Sequence, residues 1–157
     1  MFSDSTIVAP WDFSQHAQVT LNFLLEHVSA KDIRVICVLQ RPDPYTFAAV
    51  WGEESETLAH DNSVEQFWGV IDKTKIPDLQ FTAVFGDPAT EIVRFAKSLD
   101  ADMIVMSTHG RTGIKKLMLG SVANRVSQLA SCAVLLLPND WFKAELQAQS
   151  GVETATR

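Results

Sequence analysis

The sequence predicts a single α/β domain built on a parallel sheet, and three observations carry that prediction. Short apolar runs of strand character alternate along the chain with longer segments whose apolar residues recur at helical spacing. The turns ahead of several of these segments carry helix-start chemistry: Ser14, the Asp87-Pro88 pair and the Gly120-Ser121 pair. The chain has 157 residues, enough for one domain with a sizeable core, and no repeat or low-complexity tract divides it.

Taken in order, Thr6 to Ala9 is an apolar run that Pro10 closes, the first strand. Residues 10–14 (PWDFS) form the turn after it. Ser14 caps a helix over 15–29, with Ala17, Leu21, Leu24, Leu25 and Val28 on its apolar face. Residues 32–39 (DIRVICVL) form a second strand, whose continuous apolar half suits a position covered on both faces. A proline- and glycine-bearing loop over 41–54 follows. Leu58, Val64, Phe67, Trp68 and Ile71 mark a helix over 55–73, interrupted by Asp61 and Asn62. Residues 79–85 (LQFTAVF) alternate as an edge strand does. Asp87 caps and Pro88 begins a third helix that ends near Leu99. Residues 103–106 form the fourth strand, 121–130 the fourth helix, and Ala133–Leu137 the last strand, ended by Pro138. Residues 141–149 suit a short amphipathic helix and 150–157 a frayed tail, so the domain is expected over 1–140 and a tail over 141–157.

Composition narrows the function classes. Hydrophobic residues make up 46% and charged residues 20%, as in ordinary soluble proteins, and no apolar run nears the roughly 20 residues that span a bilayer. The first ten residues lack a basic region and a long apolar core, so no signal peptide is expected. The acidic balance, net −6, disfavours nucleic acid as a partner. Cys37 and Cys132 read as reduced, core-packed thiols of a cytoplasmic protein, with a disulfide between them the weaker alternative. His16, His27, His60 and His109 show no metal-ligand spacing, so no metal site is expected.

One stretch breaks the acidic pattern. None of the 19 acidic residues falls within 103–139, whereas Arg111, Lys115, Lys116 and Arg125 do. The segment is +4 in a chain of −6, so the other 120 residues carry −10. Within it, a strand leads to Gly110, Gly113 and Gly120-Ser121, and Val122, Val126 and Leu129 then mark a helix. Glycine admits close backbone approach. Ser121 is the candidate cap, and a helix start binds phosphate through its free N–H groups and dipole. The alternative is a mobile glycine-bearing loop, with Arg111, Lys115 and Lys116 a solvated face and Leu117, Met118 and Leu119 buried.

In parallel sheets ligands bind beyond the carboxyl ends of strands, where the strand order reverses. An order of 3-2-1-4-5 would set strands one and four side by side and bring the 10–14 turn to the loop over 107–120. Asp12 would then offer a carboxylate to a ribose hydroxyl or adenine amino group, or else merely cap its helix. A nucleoside phosphate fits both ends.

These residues resemble the universal stress protein family over Thr6 to Pro138. Three blocks carry the likeness: IVAPWDFS from Ile7, VFGDPATEIVRFA from Val84, and DMIVMSTHGRTG with LMLGSVANRV from Asp102. Gly110, Gly113, Gly120 and Ser121 match the glycine pattern of the family's ATP-binding branch. The resemblance implies a single doubly wound domain, a five-stranded parallel sheet of order 3-2-1-4-5 with helices on both faces. It also implies a homodimer paired along Ala133–Leu137. Ala9, Pro10, Trp11 and Asp12 would line the adenosine end and Val38 would flank the adenine. Met106 and His109 would lie under the ribose and phosphates. Gly110, Arg111, Gly113, Gly120, Ser121 and Val122 would surround the phosphates. Four positions depart from the usual pattern: Trp11, Ser107, Ala123 and Cys37. Trp11 could stack on the adenine or fill the pocket.

The expected function is a stress-response or signalling module that binds an adenine nucleotide, ATP first and ADP or AMP next, with any magnesium held by the phosphates. Two alternatives stand beside it. One is a nucleotide-free interaction protein of the same fold, favoured by Trp11. The other is a slow ATPase, for which the phosphate segment supplies neither a Walker lysine nor a carboxylate.

Overall fold

The computed structural model describes residues 5–41, 53–108, 119–138 and 141. Strands β1 (Ile7–Trp11), β2 (Ile33–Leu39), β3 (Gln80–Phe85), β4 (Met103–Ser107) and β5 (Ala133–Leu137) form one sheet in the order β3-β2-β1-β4-β5. Every neighbouring pair is parallel. Between them run helices α1 (Gln15–His27), α2 (Glu53–Val70), α3 (Pro88–Ser98) and α4 (Ser121–Leu129). This is the expected doubly wound fold, with β3 on one edge and β5 on the other.

The period-two alternation of the strands sorts their side chains onto two faces. Ile7, Ala9 and Trp11 of β1 join Val35 and Cys37 of β2 in a core closed by α1 and α2. Val8, Ile36, Ile104 and Met106 face the other way, against Ala89, Ile92 and Ala96 of α3 and Ala123 and Val126 of α4. Phe67 of α2 anchors the first core at 0% exposure, stacked on Phe81 of β3 with centroids 4.0 Å apart. Burying a side chain of that size contributes about 2 kcal/mol or more. The buried hydroxyl of Thr20 is satisfied within its own helix, donating to the His16 carbonyl at 2.8 Å.

Several boundaries differ from expectation for local reasons. Pro10 does not close β1. It pairs in register with Ile36, and the ladder from β1 to β4 has already ended at Val8, so the N–H that proline lacks is not needed there. A 3-10 turn over Ala30–Asp32 precedes β2, which begins at Ile33. Asp100, with φ of 46°, takes the left-handed position after α3, and the N–H of Ala101 donates to the Ala96 carbonyl to close the helix. Leu119, expected to be buried, is 39% exposed. Cys37 and Cys132 are not joined in a disulfide. Trp141 packs edge-on against Phe23 of α1 at 5.0 Å, within its own domain. Residues 42–52 of the expected 41–54 loop, residues 109–118 and the tail beyond Trp141 lie outside the described residues, and the end of that loop is instead the start of α2 at Glu53. No helix among the described residues is long and apolar enough to cross a membrane.

Candidate functional site

The strands part where the order reverses. β1 pairs with β4 only through Ile7 and Val8, yet it stays paired with β2 as far as Trp11 and Cys37. Above that divergence opens a cleft of about 580 Å³, within the range of small-molecule sites.

One wall is the turn after β1. Asp12 Oδ1 accepts the Ser14 backbone N–H at 3.0 Å, and Ser14 Oγ accepts the Ala17 N–H at 3.1 Å. So Ser14, not Asp12, caps α1, while Asp12 braces the turn and lines the cleft. Phe13 between them is held at φ 62°, a left-handed conformation uncommon for a bulky residue. The opposite wall follows β4. The Thr108 N–H donates to the Leu137 carbonyl at 3.0 Å, and the Gly120 N–H donates back to the Thr108 carbonyl at 2.8 Å. This brings the start of α4 beside the end of its strand.

Gly120, and not Ser121 as expected, is the N-cap of α4. Ser121 is the first helical residue, and no side chain caps this helix. By contrast, α1 and α3 are capped by Ser14 and Asp87. The first-turn N–H groups of α4 have no intrahelical acceptors, and Gly120, Ser121, Val122 and Ala123 line the cleft.

The electrostatics also differ from the sequence expectation. The 103–139 stretch has no acid of its own, but α3 supplies one in space. Arg125 of α4 donates to Asp87 Oδ2 at 2.8 Å. Asp87 also accepts the backbone N–H and the hydroxyl of Thr90, at 3.1 and 2.6 Å. The Arg125 guanidinium, then the two Thr90 donors, hold the Asp87 carboxyl well below the usual carboxylate range. One of the four basic residues of the stretch is therefore engaged in joining two helices. Among the described residues, the cleft is lined by one carboxylate, Asp12, and by no Lys, Arg or His.

Of the candidates named from sequence, Pro10, Trp11, Asp12, Val38, Met106, Gly120, Ser121 and Val122 all line this one cleft. Ala9 does not; it is 3% exposed in the core on the α1 and α2 side. His109, Gly110, Arg111 and Gly113 lie outside the described residues. Sequence reasoning missed Phe13 within the 10–14 turn and the walls contributed by other elements: Ala59 of α2, Phe85 at the end of β3, and Pro88 and Ile92 of α3. Phe85 and Pro88 flank the Gly86-Asp87 turn at the carboxyl end of β3, an edge strand away from the switch point, so the rule that selected the other two turns does not select this one. The Arg41 guanidinium lies over the Phe85 ring, 5.7 Å from its centroid, and pairs with Glu56 of α2 at 2.6 Å.

Trp11 does not plug the cleft. The residue is 4% exposed, its indole set edge-to-face against Phe67 and Phe13 at 5.1 and 5.9 Å between centroids.

A doubly wound α/β domain with an uncapped helix start and a carboxylate facing each other across its switch point defines the class. The universal stress protein family model matches residues 5–138, and the chain belongs to that family. A universal stress protein of Methanocaldococcus jannaschii is 41% identical over 85 residues, covering 54% of this chain and 46% of the relative. The matched part spans less than half the length of the first three curated relatives. A solved structure of a hypothetical protein, described as a structure-based assignment of biochemical function, superposes with a TM-score of 0.67 at 26% identity, over 86% of this chain and 96% of that one. Two further universal stress proteins share the fold below 25% identity. One is in complex with cAMP, with a TM-score of 0.51 over 85% of this chain and 95% of that one. The other, from Archaeoglobus fulgidus, is in complex with dAMP, with a TM-score of 0.53 over 84% and 96%.

Proposed function

We propose that this protein is a nucleotide-binding stress or signalling module, which holds an adenine nucleotide, ATP foremost, in the cleft above β1 and β4. One observation carries the reading: a single cleft offers an uncapped helix start at one end and an apolar slot beside Trp11, Cys37 and Val38 at the other. Phosphate oxygens suit the first, because the free N–H groups and dipole of α4 stabilise negative charge without a buried cation. A flat base suits the second. Asp12, between them, is placed to accept from sugar hydroxyls. The cAMP and dAMP complexes of other family members support an adenylate as the ligand class. Magnesium, where present, would be carried by the phosphates, with the Ser121 hydroxyl beside it. Two cysteines that form no disulfide suit a cytoplasmic setting. The module reports its nucleotide through a homodimer formed along β5.

The test is calorimetric. Protein stripped of bound nucleotide and titrated with ATP, ADP and AMP should release heat with a saturable isotherm; flat titrations through millimolar nucleotide overturn the reading. The phosphate end has its own variant. Ser121→Glu places a carboxylate at an exposed first-turn position, which the α4 dipole tolerates or favours. It should leave the melting temperature unchanged or slightly raised. Binding should weaken about tenfold or more for ATP, less for AMP and least for adenosine. Equal weakening of all three would place the phosphates elsewhere.

A further inference from the structure

The apolar end of the cleft carries one side chain of a different kind. Around Val38 the lining is hydrocarbon and aromatic, from Phe13, Leu39, Ala59, Phe85 and Ile92, and Gln40 stands among them. An adenine set against such a wall would lose water from its amino group and ring nitrogens with nothing to replace it, which weakens binding. The other polar groups of the cleft are placed elsewhere. Asp12 braces the turn after β1, and Ser107, Thr108 and Ser121 belong to the end of β4 and the start of α4. The Trp11 indole N–H is sealed within its own packing. The Cys37 thiol is only a weak donor. Gln40 itself is exposed, and its side chain has no hydrogen-bond partner among the described residues. Its backbone is anchored on both sides. The carbonyl of Leu39 accepts the Gly86 N–H at 3.0 Å, and Arg41 is held by its pair with Glu56 at 2.6 Å.

We propose that Gln40 is a specificity-determining residue whose side-chain amide reads the polar edge of the purine base, accepting from the exocyclic amino group and donating to the ring nitrogen beside it. The inference rests on the adenine-nucleotide reading and extends it to the base. A glutamine amide presents an acceptor and a donor side by side in one plane. That is the complement of an amino N–H next to a ring nitrogen, and glutamine meets adenine by this pairing in nucleic acids. Val38, two positions before Gln40, also lines the cleft, so β2 and the residue that follows it would give the base one apolar contact and one polar contact.

The experiment uses full-length protein and three probes: AMP, purine riboside 5′-monophosphate, which lacks the amino group, and ribose 5-phosphate, which lacks the base. Wild type should bind the purine analogue about three- to tenfold more weakly than AMP, the size of one neutral hydrogen bond. Gln40→Leu, at an exposed position, should keep its melting temperature and its affinity for ribose 5-phosphate. It should bind AMP weaker by a similar three- to tenfold factor and should not distinguish AMP from the purine analogue. Gln40→Glu retains an acceptor and should still prefer AMP to that analogue. In ¹⁵N-labelled wild type, the Gln40 side-chain amide resonances, assigned by their loss in Gln40→Leu, should shift as AMP saturates and stay in place with ribose 5-phosphate. Unchanged AMP affinity in Gln40→Leu would overturn the proposal, as would an analogue penalty that persists in that variant; the nucleotide reading would then stand with the base read by other groups. Absence of AMP binding to wild type would remove both.

Discussion

Phe13 shows how a single torsion shapes the site. Its φ of 62° turns the chain from β1 into α1 and leaves Asp12 facing the cleft. A left-handed conformation costs a residue with a Cβ about 1 kcal/mol or more, and glycine nothing comparable. Elsewhere glycine destabilises relative to alanine, so this position should reverse the usual sign. Phe13→Ala and Phe13→Gly both lose the edge contact with Trp11 and should both be less stable than wild type. The glycine variant should be the more stable of the two by about 1 kcal/mol, read from denaturant midpoints at unchanged slope. If alanine proves equal or better, the backbone there is not strained. The torsion was not legible in the sequence, because Phe13 reads as an ordinary aromatic in a turn. Asp12 was legible as a site candidate, but its partner, the Ser14 N–H, emerges only once the turn is built.

The elements themselves were largely legible, and their ends moved for reasons of hydrogen bonding. Strand alternation and helical spacing reflect burial, which the sequence records directly. The bond between α3 and α4 belongs to neither pattern. Asp87 and Arg125 are 38 residues apart and meet only because both helices cover the same face of the sheet. The sequence therefore reads 103–139 as free of acid when the fold places one against it. This pair sets a pH dependence. The folded Asp87 carboxyl titrates below its ordinary value, so it binds its proton less readily folded than unfolded. Its contribution is whole above the ordinary carboxylate range near pH 4 and is lost as pH falls from there toward the folded value. Asp87→Ala should melt lower than wild type at pH 6 to 7, and the gap should narrow steadily below about pH 4. A gap independent of pH between 7 and 2 would mean that the carboxylate's charge plays no part, leaving only the helix cap.

At the scale of the whole molecule, the alternating elements made a parallel α/β sheet legible, and the family likeness implied its 3-2-1-4-5 order and with it the meeting of two distant turns. The α2 and α3 walls of the cleft were not, because loop crossings carry no periodic signal. The last strand poses the remaining question. β5 is the sheet edge away from β3, and its residues are AVLLL, with no charge, proline or bulge to discourage pairing. Val134 and Leu136 pack inward against α4, whereas Ala133 is exposed and Leu135 is 40% exposed. A strand whose edge is open among the described residues and whose outer face is apolar is a surface that a second copy can cover, which is the basis of the proposed homodimer. Leu135→Lys puts a charge on that face without touching the inward residues, so the monomer fold should keep its stability within about 0.5 kcal/mol. Sedimentation equilibrium should then show a dimer for wild type and a monomer for Leu135→Lys, or at least a hundredfold weaker association. Nucleotide affinity should be unchanged, since Leu135 does not line the cleft. A wild type monomeric to the highest soluble concentration would remove the dimer, and a Leu135→Lys variant that dimerises normally would move the interface off β5.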